Sequence, residues 1–309
     1  MDGRFRALPA PEGVDGMRID AAVAKLFGLS RAVAAEIIAE GAVLVDATEV
    51  QKSHRVRTGE MIEATLPAPK TTPMPTAERV EGLDIIYSDD DVIAVDKPVG
   101  VAAHPTLGWE GPTVVGGLQA MGFELPDAGP PERKGIVQRL DVGTSGIMVV
   151  ANSVQGYSVL KRAFRERTVE KTYNAVVQGL PDPIVGTVDA PIGRHPSAGW
   201  KFAVTSDGRH SVTHYEVIEA FREASLLEVH LETGRTHQIR VHMSAVGHPC
   251  VGDPMYGSDP GLASRVGLTR QWLHATKLGF THPRTNSWME LESPYPEDLT
   301  HALDVLRSA

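Results

Sequence analysis

The sequence has a single cysteine, Cys250, among its 309 residues, which excludes an internal disulfide. It has no uninterrupted apolar run near the ~20 residues that a membrane-spanning helix needs, and its first residues lack the apolar core of a secretory signal. The spacing of its histidines fits no familiar set of metal ligands. These absences predict a cytoplasmic protein without a metal and without membrane association.

The chain also lacks an excess of positive charge, since its formal net charge is −9. This balance counts against a protein that simply coats nucleic acid. Residues 131–171, however, contain eight Lys or Arg side chains and four Asp or Glu. On charge alone, a solvated helix face and an RNA-binding surface explain this stretch equally well.

The N-terminal part begins with residues 1–16, which lack periodicity and which we expect to be a loose leader. Apolar residues then recur at helical spacing, and short strand-like runs follow. The pattern predicts a helix that ends at Gly28, a second helix from the N-cap Ser30 to Gly41, and strands at residues 42–45 and 61–66.

This arrangement resembles the S4 RNA-binding domain. The matching segments are Arg18-Ile19-Asp20, Leu29-Ser30-Arg31, residues 41–45 and residues 56–60. The resemblance implies an RNA-binding module at residues 17–67. Its grip on RNA must come from a local basic cluster, formed by Arg31, Lys52, Arg55 and Arg57. Asp46-Ala47 departs from the family, which usually has Asn-Gly there, and places a negative charge near the presumed RNA face.

A Pro-rich, polar stretch at residues 67–75 marks the best domain boundary, and we assign residues 68–79 to a linker. Beyond it, strand and helix patterns alternate over a catalytic domain at residues 80–305. Long strands without regular helical crossovers predict an α+β fold, with a mixed, largely antiparallel central sheet and flanking helices.

The segment Gly135–Ala151 is the most informative for chemistry, because an apolar strand leaves a polar turn. Alternate residues of an extended segment share a face, so Arg139 and Asp141 point the same way. Gly143 and Gly146 permit a tight turn and the close approach of another backbone. Asp141 is then either a partly desolvated nucleophile or an Asx-turn residue that caps its own backbone, and the pattern alone favours the second.

Four segments in this order resemble the RluA-type pseudouridine synthases and cover nearly all of residues 81–292. They are residues 87–105, residues 138–146 around Arg139-Leu140-Asp141, residues 171–175 (KTYNA), and residues 234–242 (GRTHQIRVH), the last trailed by residues 252–257 and 273–275. Gln138 departs from the family, which usually has His at that position. A glutamine still donates and accepts hydrogen bonds.

The resemblance implies the pseudouridine synthase fold and an enzyme that isomerises uridine in RNA, specifically in large-subunit ribosomal RNA. The reaction retains every fragment of the nucleotide, so it needs no cofactor. By resemblance Asp141 is the nucleophile, which attacks either C1′ of the ribose or C6 of the uracil, and Arg240 is its cationic partner. Tyr173 stacks on the uracil or helps to remove the C5 proton, and Leu273 supplies an apolar wall.

Arg139 has two interpretations of equal weight: it fills the gap left by a flipped-out uridine, or it contacts a phosphate. Two other functions compete with the isomerase. A non-catalytic RNA-binding ribosome-assembly factor has no need of Asp141, Tyr173 and Arg240 together. A hydrolase that releases free base needs a second carboxylate, which no motif supplies. We expect the chain to act on RNA as a monomer.

Overall fold

The computed structural model describes residues 4–68 and 72–309. The chain divides into two compact units, within Met1–Thr71 and Thr72–Ala309. Part of the predicted linker, residues 69–71, lies outside the described residues. Within them, no helix is both long enough and apolar enough to cross a bilayer.

Besides a short 3₁₀ helix at Glu12–Val14, the first unit contains two α-helices and four strands in its described residues. They are β1 (Arg4–Pro9), α1 (Ile19–Phe27), α2 (Arg31–Ala39), β2 (Val43–Val45), β3 (Thr48–Glu49) and β4 (Met61–Leu66). The strands form an antiparallel sheet in the order β1-β4-β2-β3. The helices bury Ile19, Val23 and Ile37 in one core with Val43 and Ile62 of the sheet.

The ends of the two helices follow the sequence signals. Gly28 terminates α1 in the left-handed conformation, with φ +68°, which glycine adopts without a Cβ penalty. The Ser30 hydroxyl accepts the N–H of Val33 at 3.2 Å and so caps α2. Both predicted helices are therefore confirmed.

The expectation of a loose leader over residues 1–16 is wrong for the residues that the structure describes. Strand β1 pairs with β4, from Arg4 opposite Leu66 to Pro9 opposite Met61. Its side chains are mostly exposed, so it shows no apolar alternation in the sequence. The strand is held by main-chain hydrogen bonds, which leave no periodic signal. Residues 1–3 lie outside the described part of the chain.

Besides a short 3₁₀ helix at Pro131–Arg133, the second unit consists of a large sheet, a separate hairpin and five α-helices in the described residues 72–309. Its elements are β5 (Asp84–Ser88), β6 (Val92–Lys97), α3 (Val114–Ala120), β7 (Ser145–Ala151), α4 (Val154–Glu166), β8 (Glu170–Gln178), β9 (Val185–Asp189), β10 (Ile192–Arg194), β11 (Phe202–Val204), β12 (Val212–Ala220), β13 (Ala224–Leu231), α5 (Gln238–Ala245), α6 (Pro260–Arg265), β14 (Leu273–Thr281), β15 (Trp288–Glu292) and α7 (Glu297–Ser308).

The large sheet has the order β5-β6-β7-β14-β8-β13-β12-β9, and β15 adds to β14. The pair β7–β14 is parallel and the other pairs are antiparallel. Strands β10 and β11 form the separate hairpin. The predicted α+β class, with a mixed and largely antiparallel sheet, is confirmed.

The middle of this sheet places the ends of β7, β8 and β14 side by side. Ser145 and Gly146, at the start of β7, pair with His274 and Ala275 of β14. Gly146 has φ +115°, and a Cβ there would lie 2.3 Å from the Ala275 carbonyl oxygen. Glycine is therefore required for the two backbones to approach, as predicted.

The turn between β2 and β3 contains the departure Asp46-Ala47. Both residues have positive φ, +47° and +62°, as a two-residue type I′ hairpin turn requires. The Asp46 carboxylate accepts the N–H of Met61 at 2.8 Å, which ties the turn to β4. Ala47 has no such compensation for its backbone conformation.

We expect Ala47→Gly to raise the free energy of unfolding of the first unit by about 1 kcal/mol, because glycine removes the left-handed penalty. Hydrogen exchange of the β2–β4 amides in the full-length chain, followed across denaturant, measures this change. The matched control is Ala35→Gly within α2, which should lower the same free energy by about 1 kcal/mol. Faster exchange in Ala47→Gly would contradict the predicted strain.

Candidate active site

The turn that carries Asp141 lies between a buried lead-in and the start of β7. Leu140 is buried, Arg139 is exposed, and the Asp141 side chain is 16% exposed. The N–H of Thr144 donates to the Asp141 carbonyl at 3.0 Å and closes the turn. Among the described residues, no backbone N–H donates to the Asp141 carboxylate. The Asp141 carboxylate therefore does not form an Asx-turn with its own backbone.

The Asp141 carboxylate contacts Arg240, the third residue of α5, which is only 5% exposed. Nη1 of Arg240 lies 3.4 Å from Oδ2 of Asp141. The other guanidinium nitrogens, Nε and Nη2, donate to the two carboxylate oxygens of Asp253 at 2.6 and 3.0 Å. This bidentate contact fixes the plane of the guanidinium and directs Nη1 at Asp141.

Asp253 is fully buried and also accepts the N–H groups of Met255 and Tyr256, at 2.9 and 3.2 Å. Burial alone would lower the pKa of Arg240, but the hydrogen bonds and charge of Asp253 outweigh burial and raise that pKa. No role was predicted for Asp253 from the sequence, although residues 252–257 carry part of the family resemblance. The sequence feature that could have indicated a role is the position of this acidic residue between Gly252 and Pro254, shortly after residues 234–242.

His237 is a second group beside Asp141. It precedes α5 with φ +58°, and its Nε2 lies 3.8 Å from Asp141 Oδ2. Burial lowers the pKa of His237, which favours the neutral ring. The Tyr256 hydroxyl accepts the N–H of Phe202 at 3.3 Å and lies 2.8 Å from His237 Nδ1, to which it can donate. A neutral ring that accepts at Nδ1 carries its proton on Nε2, facing Asp141.

Asp141 opens onto a cavity of about 490 Å³. Tyr173 of β8 and Leu273 of β14 line the cavity and are 8% and 4% exposed. Burial, and then the negative charge of Asp141, raise the pKa of the Tyr173 phenol, so the phenol stays protonated. Arg139 lines the same cavity. The structure thus brings four of the predicted residues to one cavity, with Arg240 contacting Asp141 from the interior.

The register of the sheet explains why Tyr173 and Leu273 face the same space. Leu273 lies opposite Ala175 across the β14–β8 pair. Cross-strand partners point to the same side of a sheet, and so do residues two apart on one strand. Tyr173 and Leu273 therefore share a face, next to the β7 end that follows Asp141.

Two side chains at the cavity have donors that the protein does not use. The Nε2 of Gln138 is buried without a hydrogen-bond partner in the described part of the chain. The Arg139 guanidinium is exposed and makes no ion pair or hydrogen bond there either. Buried donors without an acceptor are rare, and one is expected where a bound molecule completes the hydrogen bonds.

The predicted RNA contacts of the first unit are exposed. Arg31 Nη2 and Arg18 Nε each lie 3.2 Å from a carboxylate oxygen of Asp20. Arg55 donates to a backbone carbonyl at 2.8 Å and forms a β-bridge with Arg18, so Arg31 and Arg55 belong to one neighbourhood. Lys52 is exposed, and the described residues offer its side chain no partner.

The chemistry of the cavity comes from a carboxylate, a protonated phenol and an apolar wall. The positive charge of Arg240 lies beside the Asp141 carboxylate, with Nη1 3.4 Å from Oδ2. An ionised carboxylate in a partly dry cavity can attack an electrophilic carbon of a bound molecule. In residues 4–68 and 72–309, no group of three or more His, Cys, Asp or Glu side chains is arranged to hold a metal ion.

Comparison with known families identifies both units. A family model described as RNA pseudouridylate synthase matches residues 91–245, which include Asp141, Tyr173 and Arg240. An S4 domain model matches residues 17–62. The first match alone spans half of the chain.

Individual relatives extend this match to nearly the full length. An uncharacterized RNA pseudouridine synthase from Mycobacterium bovis is 57% identical, over 98% of each chain. Ribosomal large subunit pseudouridine synthase D from Pseudomonas aeruginosa is 40% identical, over 98% of this chain and 96% of the relative. The structure of human RNA pseudouridylate synthase domain containing 1 superposes with a TM-score of 0.58 at 28% identity, and the match covers 75% of this chain and 97% of that one. The chain therefore belongs to the RNA pseudouridine synthase family and carries an S4 domain in its N-terminal unit.

Proposed function

We propose that this pseudouridine synthase acts on large-subunit ribosomal RNA and that Asp141 is its nucleophile. The observation that carries the residue assignment is the contact between Asp141 and Arg240 at the wall of a cavity lined by Tyr173 and Leu273. The substrate assignment is supported by relatives named ribosomal large subunit pseudouridine synthase D, which are 39–41% identical over 97–99% of this chain.

The reaction separates N1 of the uracil from C1′, turns the base and joins C5 to C1′. The C5 proton is lost and N1 gains one, so no oxidant or reductant takes part. Asp141 attacks either C1′ or C6, and both routes use the same ionised oxygen. Arg240 contacts that oxygen with Nη1, and Asp253 prevents the guanidinium from turning away.

Tyr173 and Leu273 hold the uracil beside Asp141 in this proposal. A protonated phenol with a raised pKa is a poor base near neutral pH. The environment of Tyr173 therefore favours stacking on the uracil over removal of the C5 proton. Leu273 presents an apolar side chain on the same sheet face, which suits the flat surface of a base.

The uridine must leave its stack before it reaches the cavity, which costs a few kcal/mol. Arg139 is exposed at the cavity and has a free guanidinium within the described residues. It either enters the gap left by the uridine or contacts a phosphate. We assign additional RNA contacts in the first unit to Arg31, Lys52 and Arg55, which are exposed cations.

We expect Asp141→Asn to abolish turnover, by at least about 1000-fold, because the amide cannot act as the nucleophile. The assay measures tritium released from large-subunit ribosomal RNA that carries tritium at uridine C5. Small-subunit ribosomal RNA labelled in the same way tests the choice of substrate. The exposed Asp207→Asn is the matched control and should keep wild-type turnover.

The same assay separates the competing functions. Tritium release by wild type and not by Asp141→Asn supports the proposal. Release by neither protein, with RNA binding intact, indicates a non-catalytic binding factor, and free uracil among the products indicates a hydrolase. Wild-type turnover by Asp141→Asn would falsify the assignment of the nucleophile.

We also expect Asp253→Asn to lower kcat by about 100-fold, with little change in KM for RNA, because the guanidinium loses the anion that orients it. The ion pair of Asp91 with Arg284 is the matched control. Asp91 is buried, with 1% of its side chain exposed, accepts Nε–H of Arg284, and lies outside the cavity lining.

Asp91→Asn should therefore lower the thermal stability and leave most of kcat. Both variants are assayed well below their unfolding temperatures, so that loss of folded protein does not enter the rates. Equal losses of kcat in the two variants would show that Asp253 acts only through stability.

A further inference from the structure

Helix α4 ends at Glu166, and the next residue, Arg167, has a left-handed backbone, with φ +62° and ψ +31°. Glycine is the usual residue at such a helix end, because a Cβ in this conformation costs about 1 kcal/mol or more. The backbone conformation therefore does not explain why position 167 has an arginine. The contacts of the arginine side chain can explain it.

The Arg167 side chain lines the same cavity as Asp141, together with Lys171 of β8 and Arg235 of the segment before α5. We call Arg167, Lys171 and Arg235 the basic rim. Burial and then the charge of Arg167 lower the pKa of Lys171. Burial, and then the charges of Arg209 and Arg167, lower the pKa of Arg235. The cations of the rim are close enough to repel one another.

The basic rim has no acidic partner among the residues that the structure describes. Arg235 donates to a backbone carbonyl at 3.2 Å, and the other two side chains make no hydrogen bond or ion pair there. Besides Asp141, which Arg240 already contacts, the acidic residue at the cavity is Glu232, and it pairs with His214 at 2.7 Å. The positive charge of the rim is therefore not compensated by these parts of the protein.

We propose that the basic rim binds phosphate groups of the RNA strand next to the uridine in the cavity. This inference rests on the proposed function, since it needs a nucleotide beside Asp141. RNA carries one negative charge per nucleotide, and an arginine offers a phosphate two parallel donors. Contacts of this kind position the strand and carry no base information, so the rim sets affinity and not the choice of uridine.

The variant Arg167→Gly separates the side chain from its backbone. Glycine suits the left-handed region, so the variant should unfold at the wild-type temperature or above it. Its Kd for a large-subunit ribosomal RNA transcript should rise about fivefold to tenfold at low salt. The plot of log Kd against log salt should lose about one unit of slope, as for one phosphate contact. At saturating RNA, kcat should equal that of the wild type.

Two controls isolate the charge from the backbone. Asn286→Gly replaces another exposed left-handed residue, with φ +58°, outside the cavity lining, and should leave Kd unchanged. Arg167→Lys keeps the positive charge and should restore most of the slope. Wild-type affinity and slope in Arg167→Gly would overturn the proposal, and so would the same loss of affinity in Asn286→Gly.

Tritium release from the same RNA distinguishes failure of this inference from failure of the proposed function. If the wild type releases no tritium, the proposed function is wrong. If it does, and Arg167→Gly binds RNA as the wild type does, only the basic rim is wrong. A lower kcat in Arg167→Gly with an unchanged Kd would place Arg167 in the chemical step and also overturn the rim.

Discussion

The guanidinium of Arg240 lies between two carboxylates, and the geometry of the active site depends on this arrangement. Two of the guanidinium nitrogens, Nε and Nη2, donate to Asp253, so the third, Nη1, is directed at Asp141. The tight turn before Asp253 needs Gly252, because a Cβ there would lie 2.1 Å from the carbonyl oxygen of Arg270. Three segments thus combine to fix one side chain, and removal of Arg240 would leave the buried Asp253 carboxylate without its cation.

The candidate site residues could be predicted because each lies in a segment that resembles a motif of the family. Asp141, Tyr173 and Arg240 were all expected, and the structure brings them together. The pairing of Arg240 with Asp253 could not be predicted in the same way. The chain contains 39 acidic residues, and which of them meets a given arginine is decided by the tertiary fold. No role was predicted for His237, which belongs to the segment 234–242, although it lies beside Asp141.

The fold was predictable where periodicity or capping decides the local structure, as in α1, α2 and β4. Helix α3 was missed because Gly116 and Gly117 lower its helix propensity. A Cβ at Gly116 would lie 2.3 Å from the Thr76 carbonyl oxygen, and one at Gly117 would lie 2.5 Å from the side chain of Leu83. These glycines serve the close packing of α3 against its neighbours, which a single sequence does not display.

The net charge of −9 is compatible with an RNA enzyme because the cations act in different places. Arg240 reaches Asp141 from the protein interior, where screening by water and salt is weak. The basic rim lines the open cavity, where we propose that phosphates of the RNA bind. The cavity lining in the described part of the chain contains two of the 39 acidic residues and five of the 30 lysines and arginines, so most of the negative charge of the chain lies away from the cavity.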